Sequence, residues 1–549
     1  MRFPLLLAFV VGLFSSLVAQ DLRKEVEVES YGDAFYVLAT GEDGLVLFNE
    51  ADTSSKRLGE KIWEFTKFTS EFDQIWQRSI TVRNRLVYER HYWDNTFLHV
   101  LLLDERNRNK RKFTIVSLNV ETSELTKTDG VIPFNIKVND FSVIRNYAYV
   151  GGETQMGKIE SYGRSAAAAF VIPLFFGIME HNQKMVLTRV DIDAGKTETL
   201  PFDYKSESYV TSFSPRETKT ARTMATVIQH SPKYKKNRIY VKEWAGEKLV
   251  RNIEVNPKSD RRLIRGKIVH LNRNEFLVVG TYAAPYYQQK FWTRLNHWVF
   301  RTRMDGGEQG IYIAKFSYRG EQEYINYYSF TKFANFFEAF GKKEEKKVKK
   351  KAKRKEKKGK ELVLDFQFLL HDIVELGDQY LFVAESYRPE YRPVYSYDPL
   401  TGGSFSRGRQ VFAGYRYTHA IVAGIDQKSG RMMWDNSFPI WNILSYNLKE
   451  RVQVLPSPED TTVAMVYNYG GALLARTIKE GQVVNSQQIK GMRTEFFTDR
   501  VDENYRSDLE YWYDNNFLAW GYQRITNRAE GVFSGKRKRT VFYFYKVSF

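Results

Sequence analysis

One short phrase recurs along this chain and limits its fold more than any other feature. It is a turn residue (Asp, Asn or Gly), a run alternating aromatic and aliphatic side chains, then a small residue. It reads GDAFYVLATG from Gly32, DNTFLHVLLLD from Asp94, RNYAYVGGE from Arg145, RNEFLVVGTY from Arg273, GDQYLFVAESY from Gly377 and DNNFLAWGYQ from Asp514. Looser copies, SPRETKTARTMATVI from Ser214 and SPEDTTVAMVYNY from Ser457, fall in the gaps. Each is a turn feeding a period-2 strand. The starts lie roughly 70 residues apart on average, longer than the ~40–50 of compact repeats, so long inserted loops are expected.

A second phrase follows the first: strand, tight turn, strand. The clearest copies are AIVAGIDQKSGRMMWDNSF from Ala420 and GIYIAKFSYRGEQEYINYYSF from Gly310, with weaker relatives at Phe113 and Leu187. Gly430 with Trp434, and Gly320 with Tyr324, keep the same Gly-plus-four-aromatic spacing. Recurring hairpins build antiparallel blades, and aromatic side chains suit half-buried pleated surfaces; this chain has 35 Tyr and 39 Phe against 14 Pro. The expected fold is all-β: a closed β-propeller of about seven blades, six to eight in range. Because the phrase occurs at both ends, the N-terminal strands are expected to complete a blade begun by the C-terminus.

The stretch AGIDQKSGRMMW resembles the repeat of quinoprotein-type (PQQ-like) propellers, in which an Asp/Gly hairpin turn precedes a Trp that packs between blades. Residues 377–440 as a whole are similar to uncharacterised exported propeller-like proteins of Bacteroidota. The resemblance implies fold; no quinone-binding residue set matches, so no dehydrogenase activity is carried over and no cofactor is expected.

Residues 1–19 read as a secretory signal peptide: Arg2, an apolar run from Phe3 to Leu13, and small residues before a cut after Ala19. The expected organisation is therefore signal peptide 1–19 and one propeller domain 20–549. Export to the periplasm, the outer-membrane surface or the exterior follows. The sequence has no Cys, which removes disulfides, thiolate zinc sites and cysteine nucleophiles.

The formal charge of +18 is concentrated. Residues Lys342 to Lys360 hold 13 Lys/Arg and 3 Glu, leaving only +8 for the rest. This run is expected to be a mobile, dispensable loop, preceded by a helix striped with Phe330, Phe333, Phe336, Phe337 and Phe340; together they form an insertion over 329–361. An apolar face beside a polycation suits an anionic membrane surface. Without interleaved aromatics to stack on bases, nucleic acid is disfavoured. The apolar segment 166–179 is too short for an ordinary membrane span.

Chemical motifs are sparse. GETQMGKI from Gly152 imitates a phosphate-binding loop, but Ile159 stands where Ser or Thr must hold magnesium. DIDAGKTE from Asp191 lacks the ligand set of a calcium loop and reads as a hairpin turn. The eight His show no metal-ligand spacing, so neither a metal nor a catalytic site is assigned.

Two long loops occupy equivalent places in adjacent units. One carries Tyr282, Tyr286, Tyr287, Trp292 and Trp298; the other Tyr387, Tyr391, Tyr395 and Tyr397 with Arg388 and Arg392. Tyr, Trp and Arg dominate recognition surfaces, so these are the candidate partner-binding residues, for a protein or a glycan. The expected function is a non-enzymatic binding or scaffold protein of the cell envelope. A second reading is a glycan hydrolase or lyase acting in the central channel, for which carboxylates ~5–10 Å apart would be the sign. A third, from the terminal strand VFYFYKVSF, is an outer-membrane β-barrel.

Overall fold

The computed structural model describes residues 22–548 apart from 30–33, 52–58, 105–109, 134, 156–182, 201–206, 218–221, 234–235, 272–274, 286–306, 340–341, 359–361, 363, 365, 395–408, 442, 458–460 and 528–537. The signal peptide, the apolar segment 166–179 and Phe340 lie outside the described residues.

Eight antiparallel sheets follow one another along the chain. Blade 1 runs through Phe35–Ala39, Leu45–Glu50, Glu60–Phe68 and Gln74–Arg83, and each later blade repeats this up-and-down order. Blade 8 takes Asp499–Tyr513, Asn516–Asn527 and Lys538–Ser548 from the C-terminal end and its outermost strand, Leu22–Glu27, from the other end. That pairing is antiparallel from Leu22↔Lys546 to Glu27↔Val541 and closes the ring as expected. The chain is an eight-bladed β-propeller, at the upper end of the expected range. Because its strands form eight separate sheets rather than one closed wall, the outer-membrane barrel reading is wrong. Phe542 and Phe544 face the core, not lipid, and are fully buried.

Burial follows from the stacking of blades. A middle strand has a neighbouring blade on both faces, so it reads as an unbroken apolar run. All eight residues of Phe276–Ala283 are buried, as are seven of the eight in Phe97–Asp104. An outer strand has one covered face and alternates, as Lys248–Val255 does. Among the described residues eight apolar clusters result, each made by two neighbouring blades; one joins Leu518 and Phe542 of blade 8 to Leu45 and Phe68 of blade 1. Each buried large side chain contributes about 1.5–3 kcal/mol.

The hairpin phrase has a local cause. Asp426 Oδ1 accepts the Ser429 N–H at 2.6 Å, and the Gly430 N–H donates to Asp426 O at 2.9 Å. The same capped turn recurs at Asp191–Gly195 and Asn119–Ser123. A short side-chain acceptor closes each turn. This confirms DIDAGKTE as a hairpin turn. Gly152, the first Gly of the phosphate-loop imitation, sits inside a strand opposite Val138.

The insertion between blades 5 and 6 departs from expectation. Phe330, Phe333, Phe336 and Phe337 are buried, but on two short 3-10 turns, Phe330–Lys332 and Phe336–Ala339, and the link between them, not on an α-helix. Ser329 and Phe333 are extended, and Asp435 takes the N–H groups of Ala334 and Asn335 at 2.9 and 2.8 Å, so no helical ladder can run through. The α-helix lies one step later, over the lysines themselves, at Lys342–Glu356. The expected mobile loop there is wrong. Lysine is a good helix former, Glu345 pairs with Lys349 at 2.6 Å, and Val348 and Ala352 pack on the cluster between blades 5 and 6.

Candidate functional site

Strand direction gives the propeller two unlike ends. At one, first and second strands, and third and outer strands, are joined by tight turns. At the other lie the connections between second and third strands and those leading from blade to blade. Both candidate loops open on this second, long-loop end. In blade 5 the connection spans 284–309. In blade 6 the strands Gln379–Val394 and Arg409–Asp426 continue past the sheet as a paired hairpin, from Tyr387↔Tyr417 to Val394↔Arg409. Leu444–Ser445 joins it as a third strand.

The candidate residues separate into three groups. Tyr282 and Tyr387 are buried and unavailable to a partner. Tyr282 lies in a wholly buried middle strand with the Arg261 guanidinium 5.3 Å from its ring centre, and the Tyr387 hydroxyl accepts from Arg265 Nη2 at 2.9 Å. Tyr391, Arg388 and Arg392 are exposed on the hairpin. Tyr286, Tyr287, Trp292, Trp298, Tyr395 and Tyr397 lie outside the described residues.

An aromatic stripe stiffens the hairpin. Tyr387 meets Tyr415 edge-on at 5.5 Å, Tyr415 meets Phe412 at 4.9 Å, and Phe412 meets Tyr391 at 5.8 Å. The stripe runs from the core outward, and Tyr391 at its end is 47% exposed. Arg416 grips Glu390 with two bonds, 2.5 and 3.1 Å, holding that carboxyl below the usual carboxylate range. Val411 on the hairpin, and Trp441 and Tyr446 beside it, are all exposed. None of the last three was singled out in the sequence.

The axis carries a second group that sequence spacing did not reveal. First strands of neighbouring blades meet there, and several are interrupted: by bulges at Tyr88/Arg90, Val138/Asp140 and Tyr505/Asp508, and by a break in the first strands of blades 5 and 6. A bulge bends its strand and re-aims side chains. Charged residues sit at or beside these irregularities: Arg90, Asp140, Lys267, His371, Asp372 and Asp508. Lys267 Nζ lies 2.6 Å from Asp372 Oδ1 and 3.9 Å from Glu450 Oε1, linking blades 5, 6 and 7. His371 Nε2 is 2.8 Å from Glu385 Oε1, and its Nδ1 is 3.7 Å from Glu450 Oε2. Burial works against the charged ring, but Glu450 and then Glu385 outweigh it, and the His371 pKa is raised. Burial pushes the Asp140 carboxyl up to about 6, opposed by the Phe141 N–H, Lys267 and Arg90. Burial likewise raises Glu510, on the first strand of blade 8, to about 7. Chemically, this group offers two carboxylates on one ammonium with an imidazole beside them. Among the described residues no set of three His, Asp or Glu is placed to hold a metal ion.

No family model and no curated protein matches the chain. Solved structures are similar to it. The polysaccharide lyase Uly1 is 7% identical, with 84% of this chain and 89% of that one covered and a TM-score of 0.38. The WD40 domain of SCAP from fission yeast is 7% identical, with 93% and 98% covered and a TM-score of 0.35. The β-propeller domain of the Trilobed protease from Pyrococcus furiosus is 8% identical, with 83% and 98% covered and a TM-score of 0.32. Likeness at this level carries no argument about activity or partner, and the assignment to the β-propeller architecture stands on the chain's own sheet order.

Proposed function

We propose that this chain is an exported binding or scaffold propeller of the cell envelope that recognises its partner with the long-loop end. The observation carrying the reading is the blade 6 hairpin, a stiff aromatic stripe ending in exposed Tyr391 and flanked by exposed Arg388, Arg392, Val411, Trp441 and Tyr446. Rigid aromatic and guanidinium groups bind with little loss of conformational freedom. Export rests on the leader-like residues 1–19. A photo-crosslinking residue placed at Tyr391 or Val411 is expected to give discrete adducts in cells, whereas one at Ile75 or Val250, exposed on outer strands, is not. Adducts absent at the hairpin, or equal at all four positions, would reject this face.

One observation favours a second reading, catalysis at the axis on a hydroxyl-rich substrate such as a glycan. Asp372 and Glu450 both reach Lys267, and His371 lies against Glu450. Such paired carboxylates can divide acid and base roles. Incubation with a panel of neutral and acidic polysaccharides, followed by assay of new reducing ends, tests it. Product formed by the wild type and abolished in Asp372→Asn and Glu450→Gln would favour the enzyme over the scaffold.

A further inference from the structure

The connection that carries the polycationic helix and the blade 6 hairpin leave the sheets at the same end of the propeller. The outer strand of blade 5, Gln322–Ser329, and the second strand of blade 6 both run toward the long-loop end. The 330–366 connection, the hairpin and the 440–452 connection therefore emerge together. Helix Lys342–Glu356 holds ten Lys/Arg and three Glu. Its half-buried Val348 and Ala352, one turn apart, dock on the core between blades 5 and 6. At 3.6 residues per turn this sends Lys343, Lys346, Lys350 and Lys353 to the opposite side, and all four are exposed. The helix is thus fixed in rotation with its cations outward.

So dense a run of like charge opposes its own helix, with ten cations against three acids. Glu345 engages Lys349, and Glu356 reaches Lys332 only at 3.8 Å. Next in the ring come Arg388 and Arg392, then Tyr391, Val411, Trp441 and Tyr446, the last 73% exposed. The acids of this sector are engaged: Glu390 is held by Arg416, and Asp372 and Glu450 lie 2.6 and 3.9 Å from Lys267. Cations beside Trp, Tyr and an aliphatic side chain match the headgroup region of a bilayer, where ammonium groups meet lipid phosphate and amphipathic rings sit at the apolar boundary. A nucleic acid or acidic polysaccharide would use the cations and can stack on the exposed rings, but has no need of the aliphatic Val411.

We infer that the blade 5–7 sector of the long-loop end docks on an anionic lipid bilayer. This rests on the long-loop end being the recognition surface and names its partner. The test is co-sedimentation of the full chain with vesicles of equal parts phosphatidylcholine and phosphatidylglycerol, and with phosphatidylcholine alone. Binding is expected only to the mixed vesicles, and to weaken at least about tenfold between 0.1 and 1 M salt as the screening length falls from ~10 to ~3 Å. Changing Lys343, Lys346, Lys350 and Lys353 to Glu should remove most of it; Gln at the same positions serves if the Glu variant fails to fold. Trp441→Ser with Tyr446→Ser should weaken vesicle binding several-fold while leaving retention on heparin unchanged. No binding to mixed vesicles at low salt, or full binding by the lysine variant, would overturn the inference. So would an aromatic variant that binds vesicles like wild type, which would mark a general polyanion surface. Failure on vesicles with adducts still forming at Tyr391 would remove the lipid and leave the recognition face standing.

Discussion

The Tyr324 side chain of blade 5 occupies the space that a Cβ at Gly430 of blade 6 would fill, with its hydroxyl 2.5 Å from that position. The contact repeats one blade on: a Cβ at Gly481 of blade 7 would fall 2.6 Å from the Trp434 ring of blade 6. Each of these two hairpin glycines thus receives the outer-strand aromatic of the preceding blade, and the aromatic follows its own hairpin glycine by four residues. Hydrogen bonds lock the joints. Tyr328 Oη donates to Gly430 O at 2.8 Å, and Asn436 Nδ2 donates to Gly481 O at 2.7 Å.

Gly430→Ala and Gly481→Ala are therefore expected to cost about 2–3 kcal/mol each, from left-handed backbone strain plus overpacking. Gly377→Ala is the control: its φ is +60° but nothing lies within 4 Å of the added carbon, so only the strain, about 1 kcal/mol, should appear. Denaturant unfolding of the three variants checks the difference; equal losses would mean the inter-blade contact contributes nothing.

Glu385 is completely buried and holds together two blades at the axis. Its Oε1 lies 2.8 Å from His371 Nε2 and accepts the backbone N–H groups of Arg451 and Val452 at 2.7 and 2.8 Å. Glu385→Leu leaves those donors without an acceptor and should cost about 2–4 kcal/mol. It should also return the His371 titration, followed by NMR, toward or below its ordinary value, because burial then acts with less opposition. A His371 pKa unchanged in that variant would show that Glu385 does not tune it.

The Glu510 carboxyl, raised to about 7 by burial, gives a pH-dependent prediction. Its folded pKa lies above its ordinary 4.5, so the folded state binds the proton more tightly. Its contribution is most favourable below pH 4.5 and is lost as pH rises through 7. Glu510→Gln mimics the protonated acid. It should stabilise the protein at pH 8 and leave it nearly unchanged at pH 4, measured as the shift in denaturant midpoint; the opposite order would place Glu510 in a favourable ion pair.

The sequence phrases carried more of the fold than the blade count drawn from them. Seven of the eight mark second strands, and the first, from Gly32, marks the opening strand of blade 1 at Phe35–Ala39. One phrase per blade would have counted eight directly, but uneven spacing hid it, since insertions such as 156–182 stretch single units. The Gly-plus-four-aromatic spacing was visible, whereas its meaning needed the neighbouring blade. The lysine helix was misread because charge repulsion was weighed above the two apolar residues of the run, Val348 and Ala352, whose anchoring is tertiary. The axial group was illegible for a related reason. Lys267, His371, Asp372 and Glu450 come from three blades, and the bulges and strand breaks that re-aim such side chains leave no residue-spacing signature.

The closing strand yields the last prediction. Leu22–Glu27 covers the edge of Lys538–Ser548, and without it that edge would present a row of unpaired backbone groups. Side chains add to the seam: Arg23 Nη2 donates to Gln523 Oε1 at 2.6 Å, and Arg539 Nη2 lies 2.8 Å from Glu25 Oε2 while also bonding Asp499. Val28, just past the strand, packs into the cluster joining blades 8 and 1, and half-buried Leu22 and Val26 lie against it. Removing residues 22–28 should cost several kcal/mol, on the order of two or three lost buried side chains plus the ladder. It should also let the exposed edge pair between molecules, seen as concentration-dependent oligomers in sizing experiments. A synthetic peptide of residues 20–29 supplied in trans should restore the unfolding midpoint and the original sizing profile, because the strand's pairing with Lys538–Ser548 and its side-chain contacts across the seam are non-covalent. A truncated chain that stays monomeric with an unchanged midpoint would show that seven complete blades and a three-stranded eighth hold the ring by themselves.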